Sequence, residues 1–326
     1  MLFKNMAEIQ QYLPVSNAVE FDRLKPHIHQ IENEFIIPLM SKDLYNELCY
    51  HYLNPDPNET LRLDAIHAAQ NAIIHLVYWR GFDVLNAYIS DSGFKRSESD
   101  KVKSLFKYQE DNLRDYFKNV GFDALDVLLE KLEIIATICS PSRLSEDWYK
   151  AFHDDFVNNA KAFDSLYFIN GSRIIFLRLK KYMQQVKDLQ LSKVLGPANY
   201  AFILSEIAKT DTIAIAAKVK EILPFINKPL AFLSVALLME DSGCDITDKG
   251  LVYDGKISVN GGDAAKTPSE SVRVMNLIKR NRGIGEAYLC ELKNYLLDHA
   301  SDWGNYTAPQ HGILNRDNSG KKTFWI

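Results

Sequence analysis

The sequence has 326 residues, of which 47% are hydrophobic and 25% charged, and its formal net charge is −4. This length exceeds one typical hydrophobic core and suits two domains of about 150 residues each. The small negative charge argues against broad or specific nucleic-acid binding, because such binding usually needs a basic face.

The first half of the chain predicts a series of amphipathic helices. Apolar residues recur at helical spacing, Pro38 is expected to break the first helix, and Gly121 is expected to separate the last two. Asp91-Ser92-Gly93 is expected to end the longest helix, since glycine readily adopts the left-handed conformation found at helix ends. These helices are predicted at about residues 19–35, 42–52, 61–89, 98–119 and 122–138.

A connector of about residues 141–172 follows the first half and is rich in aromatic side chains. A flexible linker would be polar. We therefore expect this connector to pack down, against both halves of the protein.

The second half repeats the first at a distance of 155 residues. The run Phe21-Asp22-Arg23-Leu24-Lys25 returns as Phe176-Leu177-Arg178-Leu179-Lys180, and the apolar series that follows returns without a gap. Such an internal duplication predicts an all-α protein of two tandem, structurally similar helical-bundle domains. Their expected extents are residues 1–150 and 151–326.

Farther along the repeat, Asp91-Ser92-Gly93 matches Asp241-Ser242-Gly243 at an offset of 150. The loop before the long helix is therefore expected to be five residues shorter in the second copy. That helix is predicted at about residues 213–239, with a kink or a split at Pro224 and Pro229.

Two features are expected in the second copy alone. Short apolar runs flank Asp254-Gly255, which predicts a β-hairpin within an insertion of about residues 245–267. The chain then ends in a polar stretch that is expected to be a mobile tail, apart from its apolar last three residues.

No residue pattern predicts a catalytic site, a metal site or a bound cofactor. His27 and His29 are two residues apart on a helix and point in different directions. His67 and His75 are eight residues apart, too far for a metal pair on adjacent turns, and are expected at the edge of a core face. The four cysteines include no Cys-x-x-Cys pair, so reduced thiols are expected.

Neither a secretory signal nor a membrane span is expected. The first residues lack a basic start followed by a long apolar run, and no stretch approaches about 18 apolar residues. The apolar run from Leu230 to Met239 is interpreted as a buried helix.

Aromatic side chains are the candidate interface residues. Trp148 and Trp303 follow the last helix of each copy, where a tryptophan suits either a lid on a helical core or an anchor at a subunit interface. Tyr253 lies in the expected hairpin, and Phe324 and Trp325 lie in the apolar end of the tail.

The order of these elements resembles the helical head–tail connector, or head-completion, proteins of tailed phages. It is most similar to a duplicated, uncharacterised family encoded in prophage-like regions of gut anaerobes. The resemblance covers about residues 8–306 and rests on the Phe-x-Arg-Leu-Lys helix, the long helix with Asp-Ser-Gly, and the helix pair followed by tryptophan. It implies a non-enzymatic adaptor without a cofactor, which assembles with itself or with portal and tail proteins.

Three classes of function follow from the sequence. The first is a structural assembly protein of connector type, located in the cytoplasm or in a virion, with no small-molecule substrate and no membrane partner. The second is a helical module that binds a protein or a peptide, and the third is an enzyme of unrecognised type. Self-association favours the first class, a stable monomer with a groove favours the second, and converging titratable groups favour the third.

Overall fold

The computed structural model describes residues 1–15, 20–85, 88–90, 93–95, 105–138, 155–209, 215–242, 244–247, 250–253 and 268–308. Two compact units divide the chain. Unit 1 contains Met1–His153 and Ser172–Ile174, and unit 2 contains Asp154–Gly171 and Ile175–Ile326.

Unit 1 is a helical bundle with one short pair of strands. Its described elements are α1 (Met6–Ile9), α2 (Phe21–Ile31), a π-helical turn (Glu32–Ile36), α3 (Ile37–Met40), α4 (Lys42–Leu53), α5 (Thr60–Arg80), α6 (Phe82–Leu85), β1 (Tyr88–Ser90), β2 (Gly93–Lys95) and α7 (Lys107–Ile138). Its core forms where α5 packs along α7 and α2 covers α5.

Unit 2 presents the same succession of elements. Those described are α8 (Ala160–Asp164), α9 (Arg173–Val186), a π-helical turn (Lys187–Leu191), α10 (Ser192–Leu195), α11 (Pro197–Ile207), α12 (Ala217–Ser242), β3 (Cys244–Thr247), β4 (Gly250–Tyr253), α13 (Pro268–Asp298) and a 3-10 turn (Ala300–Trp303). Here α12 packs along α13 as α5 packs along α7 in unit 1. The protein is therefore all-α with a duplicated domain.

The first part of each unit matches at the offset found in the sequence. The π-helical turns begin at Glu32 and Lys187, which are 155 residues apart. At the same offset, Ser41 and Gly196 share an unusual backbone conformation, with φ of 74° and 76° and ψ of 157° and 152°. Each of the two residues comes directly before the next helix, so even this sharp turn is repeated.

The long helices and the hairpins match at an offset of 157, not 150. Helix α5 begins at Thr60 and α12 at Ala217. The strands turn between Ser90 and Gly93 in unit 1 and between Thr247 and Gly250 in unit 2. The second copy therefore has two more residues between its π-helical turn and the start of its long helix. The prediction of a loop five residues shorter is wrong.

The two Asp-Ser-Gly runs consequently occupy different places. In unit 1 the glycine of the run, Gly93, begins β2 and pairs with Ser90 of β1, whereas Asp241 and Ser242 end helix α12. A hairpin confined to the second copy is not supported, because each copy has one. The predicted turn at Asp254-Gly255 lies outside the described residues, as does the rest of the insertion to residue 267.

Three predicted helix breaks differ from the structure. Helix α7 runs through Gly121 without separating, and α12 runs through both Pro224 and Pro229 without the split that was one of the two outcomes expected there. Pro38 lies in the first turn of α3, where the backbone N–H that proline lacks would have no partner within that helix. The predicted extension of the longest unit 1 helix to residue 89 is also wrong, because α5 ends at Arg80 and a single turn, α6, follows.

Glycine permits the closest helix crossing in each unit. A Cβ atom at Gly121 of α7 would lie 2.8 Å from Leu76 of α5, and one at Gly285 of α13 would lie 2.5 Å from Leu233 of α12. These distances are shorter than van der Waals contact, so any larger residue would push the helices apart. The role of Gly121 is therefore close packing and not helix termination.

The described part of the connector belongs to the core of unit 2. Phe156 and Phe163 are buried among the α9, α12 and α13 side chains, and Phe168 is exposed. Residues 139–154, which include Trp148, lie outside the described residues.

Helix α12 is long and apolar enough to cross a membrane, since an 18-residue window within Ala217–Asp241 has a mean hydropathy of 1.8. However, 61% of the tested window is buried inside the structure, as in the core helix of a globular domain. Burial by protein accounts for its composition.

Candidate interaction surface

The titratable groups of unit 1 serve packing. Glu32 is buried at the start of its π-helical turn, and one carboxylate oxygen accepts a hydrogen bond of 2.9 Å from the Leu2 backbone N–H. The Tyr45 hydroxyl also bonds to Glu32, and burial, followed by the Glu32 charge, raises the pKa of Tyr45 above its usual value. Gln70 donates to the Leu2 carbonyl at 2.5 Å. These bonds fasten the N-terminal segment to α2, α4 and α5.

Unit 2 has a buried ion pair at the equivalent place. Lys187 begins the second π-helical turn, and its Nζ lies 3.0 Å from both carboxylate oxygens of Asp155. Burial lowers the pKa of the neighbouring Lys180 to about 8. Both buried clusters hold an N-terminal segment against its own bundle, so we assign them to stability.

The histidines are placed apart from one another. His67 is exposed and lies 2.8 Å from the Tyr12 hydroxyl, whereas His75 is buried and its Nδ1 lies 2.9 Å from the Asn71 carbonyl oxygen. Burial lowers the pKa of His75, which favours a neutral ring. His29 lies 3.4 Å from Glu32. Among the described residues no group of three potential metal ligands comes together.

The most unusual surface of unit 1 is the outward face of α7. This helix buries Leu125, Leu128 and Leu132 against the bundle, yet a second set of apolar residues faces solvent. We call that set the α7 stripe; it consists of Leu113, Tyr116, Val120, Val127 and Ile134. Tyr116 is 52% exposed and Val127 46% exposed, and Val120 is half-buried.

The α7 stripe follows the spacing of a helix-packing seam. Leu113, Val120, Val127 and Ile134 are each seven residues apart, and Phe106 continues the series just before the helix, 70% exposed. Residues seven apart lie on one side of a helix, about 10 Å apart along its axis. The Tyr116 ring contacts His75 at the border of the core, but the rest of this apolar surface extends beyond what the bundle covers, as contact surfaces do.

The corresponding helix of unit 2 has a different outward face. Gly283, Ala287 and Cys290 are exposed small residues on one side of α13, and Val272 and Met275 are exposed nearer its N-terminal end. A Cβ at Gly283 would meet nothing within 4 Å, so no packing inside the chain requires glycine there. We call this surface the α13 trough.

Trp303, one of the predicted interface residues, lies in the core of unit 2. It is 2% exposed, packs against Phe202 with ring centroids 6.5 Å apart, and has the Lys218 ammonium 4.9 Å from its ring centroid. Asn199 donates to its carbonyl oxygen at 3.3 Å. This arrangement matches a lid on the helical core and not an exposed anchor.

The other predicted interface residues lie partly or wholly outside the described structure. The backbone of Tyr253 pairs with Cys244 across the β3–β4 hairpin, and its side chain is outside the described structure. Trp148, Phe324 and Trp325 lie outside the described residues as well. The α7 stripe was missed at the sequence level, although its seven-residue spacing is readable in the sequence.

One protein-family comparison identifies a match over both halves of the chain. A model described as a family of unknown function, DUF6712, matches residues 36–136 and 191–315, which together cover more than half of the sequence. The two matched segments begin 155 residues apart, at the offset of the two π-helical turns. No curated protein and no solved structure matches the chain.

Proposed function

Because the chain belongs to DUF6712, a family of unknown function, we propose its role from its own surface: a non-enzymatic structural protein that self-associates through the α7 stripe. The observation that carries the proposal is the exposed apolar series on α7, which borders that helix's buried face and extends beyond what the bundle covers. Exposed apolar ridges of this length mark protein contacts.

The chemistry of the buried clusters supports a structural role. Glu32, Lys187 and Asp155 are engaged with backbone or oppositely charged groups of their own units. A catalytic acid or base would instead have to reach a bound substrate. The groups described here hold chain segments in place.

We further propose that the assembly belongs to a phage or prophage particle, as an adaptor of the head–tail connector kind. This part of the proposal rests on the order of helices and on the duplication. It implies a virion-associated or cytoplasmic protein whose partners are copies of itself or portal and tail proteins.

Light scattering coupled to size-exclusion chromatography over a range of protein concentrations tests self-association. We expect a mass above that of one chain, and Val127→Glu is expected to return the protein to a monomer, because a charge at an interface centre is left desolvated. Asn119→Glu is the matched control, since it adds the same charge to an exposed polar position of the same helix.

A wild-type chain that remains monomeric at every concentration would remove self-association from the proposal. The alternative would then be a helical module for a different protein, with the α7 stripe as its docking face. A Val127→Glu variant as assembled as the wild type would show that α7 is not the interface.

A further inference from the structure

We propose that the α7 stripe of one copy packs into the α13 trough of a second copy, in antiparallel orientation, so that copies join head to tail. The inference rests on the proposed self-association and names the surface that receives α7. It draws on three independent properties of the two faces: their shape, their charge and an otherwise unexplained glycine.

The shapes of the two faces are complementary. The stripe presents branched and aromatic side chains as a ridge, whereas Gly283, Ala287 and Cys290 leave α13 nearly flat. Helices pack with axes about 8–10 Å apart, and small residues on one helix allow the bulky side chains of another to approach closely. Two ridges or two troughs would not fit together as well.

Gly283 is the most informative residue of the trough. Glycine in an exposed helix interior lowers helix stability by about 1 kcal/mol relative to alanine, and Gly283 has open space where a side chain would be. By contrast, Gly285 is required by Leu233 inside the unit. A helix of a second copy that packs closely on α13 would likewise leave no space for a side chain at Gly283.

The charges beside the faces favour a heterologous and antiparallel contact. The C-terminal half of α7 carries exposed Asp123 and Glu130, whereas the N-terminal half of α13 carries exposed Arg273, Lys279 and Arg280. Antiparallel packing places these opposite charges together, which steers and selects the partner. Parallel pairing of the stripe with itself would instead bring these carboxylates together, which is unfavourable.

The opposite ends of the two helices do not oppose this orientation. Beyond Gly283 the exposed face of α13 becomes acidic at Glu286 and Glu291, and the N-terminal half of α7 has no net charge, because it carries three basic and three acidic side chains. A head-to-tail contact of this kind leaves one free stripe and one free trough on every pair. Repetition therefore produces a ring or a filament, depending on the angle between copies.

The test mixes two chains that are each blocked on one face. Val127→Glu disables the stripe but leaves the trough, and Gly283→Gln fills the trough with a longer side chain but leaves the stripe. Glutamine is a good helix former, so Gly283→Gln is expected to unfold at higher urea concentration than the wild type while its self-association weakens at least tenfold. A residue that only maintained the fold would not raise stability and reduce assembly together.

We expect each variant alone to be a monomer and their equimolar mixture to form a dimer of one chain of each kind, measured by sedimentation velocity. A second pair, Asp123→Lys and Lys279→Glu, is expected to associate weakly apart and to recover on mixing. If Gly283→Gln assembles like the wild type while Val127→Glu is monomeric, the stripe has another partner and the inference fails, although self-association stands. A mixture that stays monomeric also overturns it, whereas a monomeric wild type overturns the proposed function itself.

Discussion

The two units keep a buried charged residue at the same point of their architecture but give it opposite sign. In unit 1 the π-helical turn begins with Glu32, which accepts a hydrogen bond from the N-terminal segment at Leu2. In unit 2 the turn begins with Lys187, and the N-terminal segment supplies the carboxylate of Asp155. The fold therefore requires a hydrogen-bond donor and an acceptor at this place. Either the π-helical turn or the N-terminal segment can supply the acceptor.

This difference explains how a duplicated domain diverges in its interior. A buried charge without its partner is strongly unfavourable, but an exchange of both partners preserves the attraction. The π-helical turn and the residue before the following helix have the same geometry in both units, whereas the buried side chain at the start of the turn has the opposite charge. The exposed faces of α7 and α13 diverged further, because these positions lie outside the core and are not held by this pairing.

The largest expected effect comes from breaking the buried pair of unit 2. Lys187→Ala is expected to lower the free energy of unfolding of unit 2 by about 3–5 kcal/mol, because it leaves the Asp155 carboxylate buried without its cation. Urea unfolding followed by circular dichroism measures it. The exchanged variant, Asp155→Lys with Lys187→Glu, adopts the sign of unit 1 and is expected to regain most of the loss. A loss below about 1 kcal/mol for Lys187→Ala would contradict a buried pair.

The next effect concerns the glycines at the two helix crossings. Gly285→Ala is expected to destabilise unit 2 by about 2 kcal/mol, since its Cβ would overlap Leu233, and Gly121→Ala is expected to destabilise unit 1 slightly less. Gly283→Ala, two residues from Gly285 on the same helix, is the matched control and is expected to stabilise by up to about 1 kcal/mol. Thermal unfolding of the three variants distinguishes the overlap of a new Cβ atom with a neighbouring leucine from the effect of helix propensity alone. Equal behaviour of Gly283→Ala and Gly285→Ala would be incompatible with the close crossing.

The duplication was readable from the sequence because the apolar series of α2 and α9 repeats position by position. The same method failed where short motifs recur by chance, as with the two Asp-Ser-Gly runs. One of these lies in a hairpin and the other begins at the end of α12. A three-residue match carries less information than a periodic series, and the hairpin turns revealed the true offset.

The helix breaks failed for a physical reason. Glycine and proline are unfavourable within an isolated helix, but packing along a second long helix can outweigh this preference. Gly121 is required by the nearby Leu76, and α12 keeps Leu230 and Leu233 buried although Pro229 precedes them. The buried pair Lys187–Asp155 could not be predicted either, because its members lie on different elements. The α7 stripe, by contrast, was available to a search for a second apolar face on one helix.

A smaller effect is expected at the sharp turn before α4 and α11. Ser41 and Gly196 share a positive φ near 75° with an extended ψ, a region that is essentially restricted to glycine. Ser41→Gly is expected to stabilise unit 1 by about 1 kcal/mol, less a few tenths for the lost cap to the Leu44 N–H. Gly196→Ser is expected to destabilise unit 2 by a similar amount. Urea midpoints of the two variants should move in opposite directions, and parallel shifts would contradict the shared conformation.

The last effect is a pH dependence that belongs to unit 2. Burial lowers the pKa of Lys180 from 10.5 to about 8, while the Asp155 charge opposes the shift and the Lys187 charge adds to it. Between these two values the unfolded chain binds more protons than the folded one, so the free energy of unfolding rises with pH in this window. Urea unfolding between pH 7 and 9.5 remains below the usual range of tyrosine ionisation. Lys180→Met is expected to remove this rise in the free energy of unfolding. The matched control is Lys25→Met in unit 1, which is expected to leave the rise in place because Lys25 pairs with Asp22 on the surface. A rise that persists in Lys180→Met would assign the pH dependence to another group.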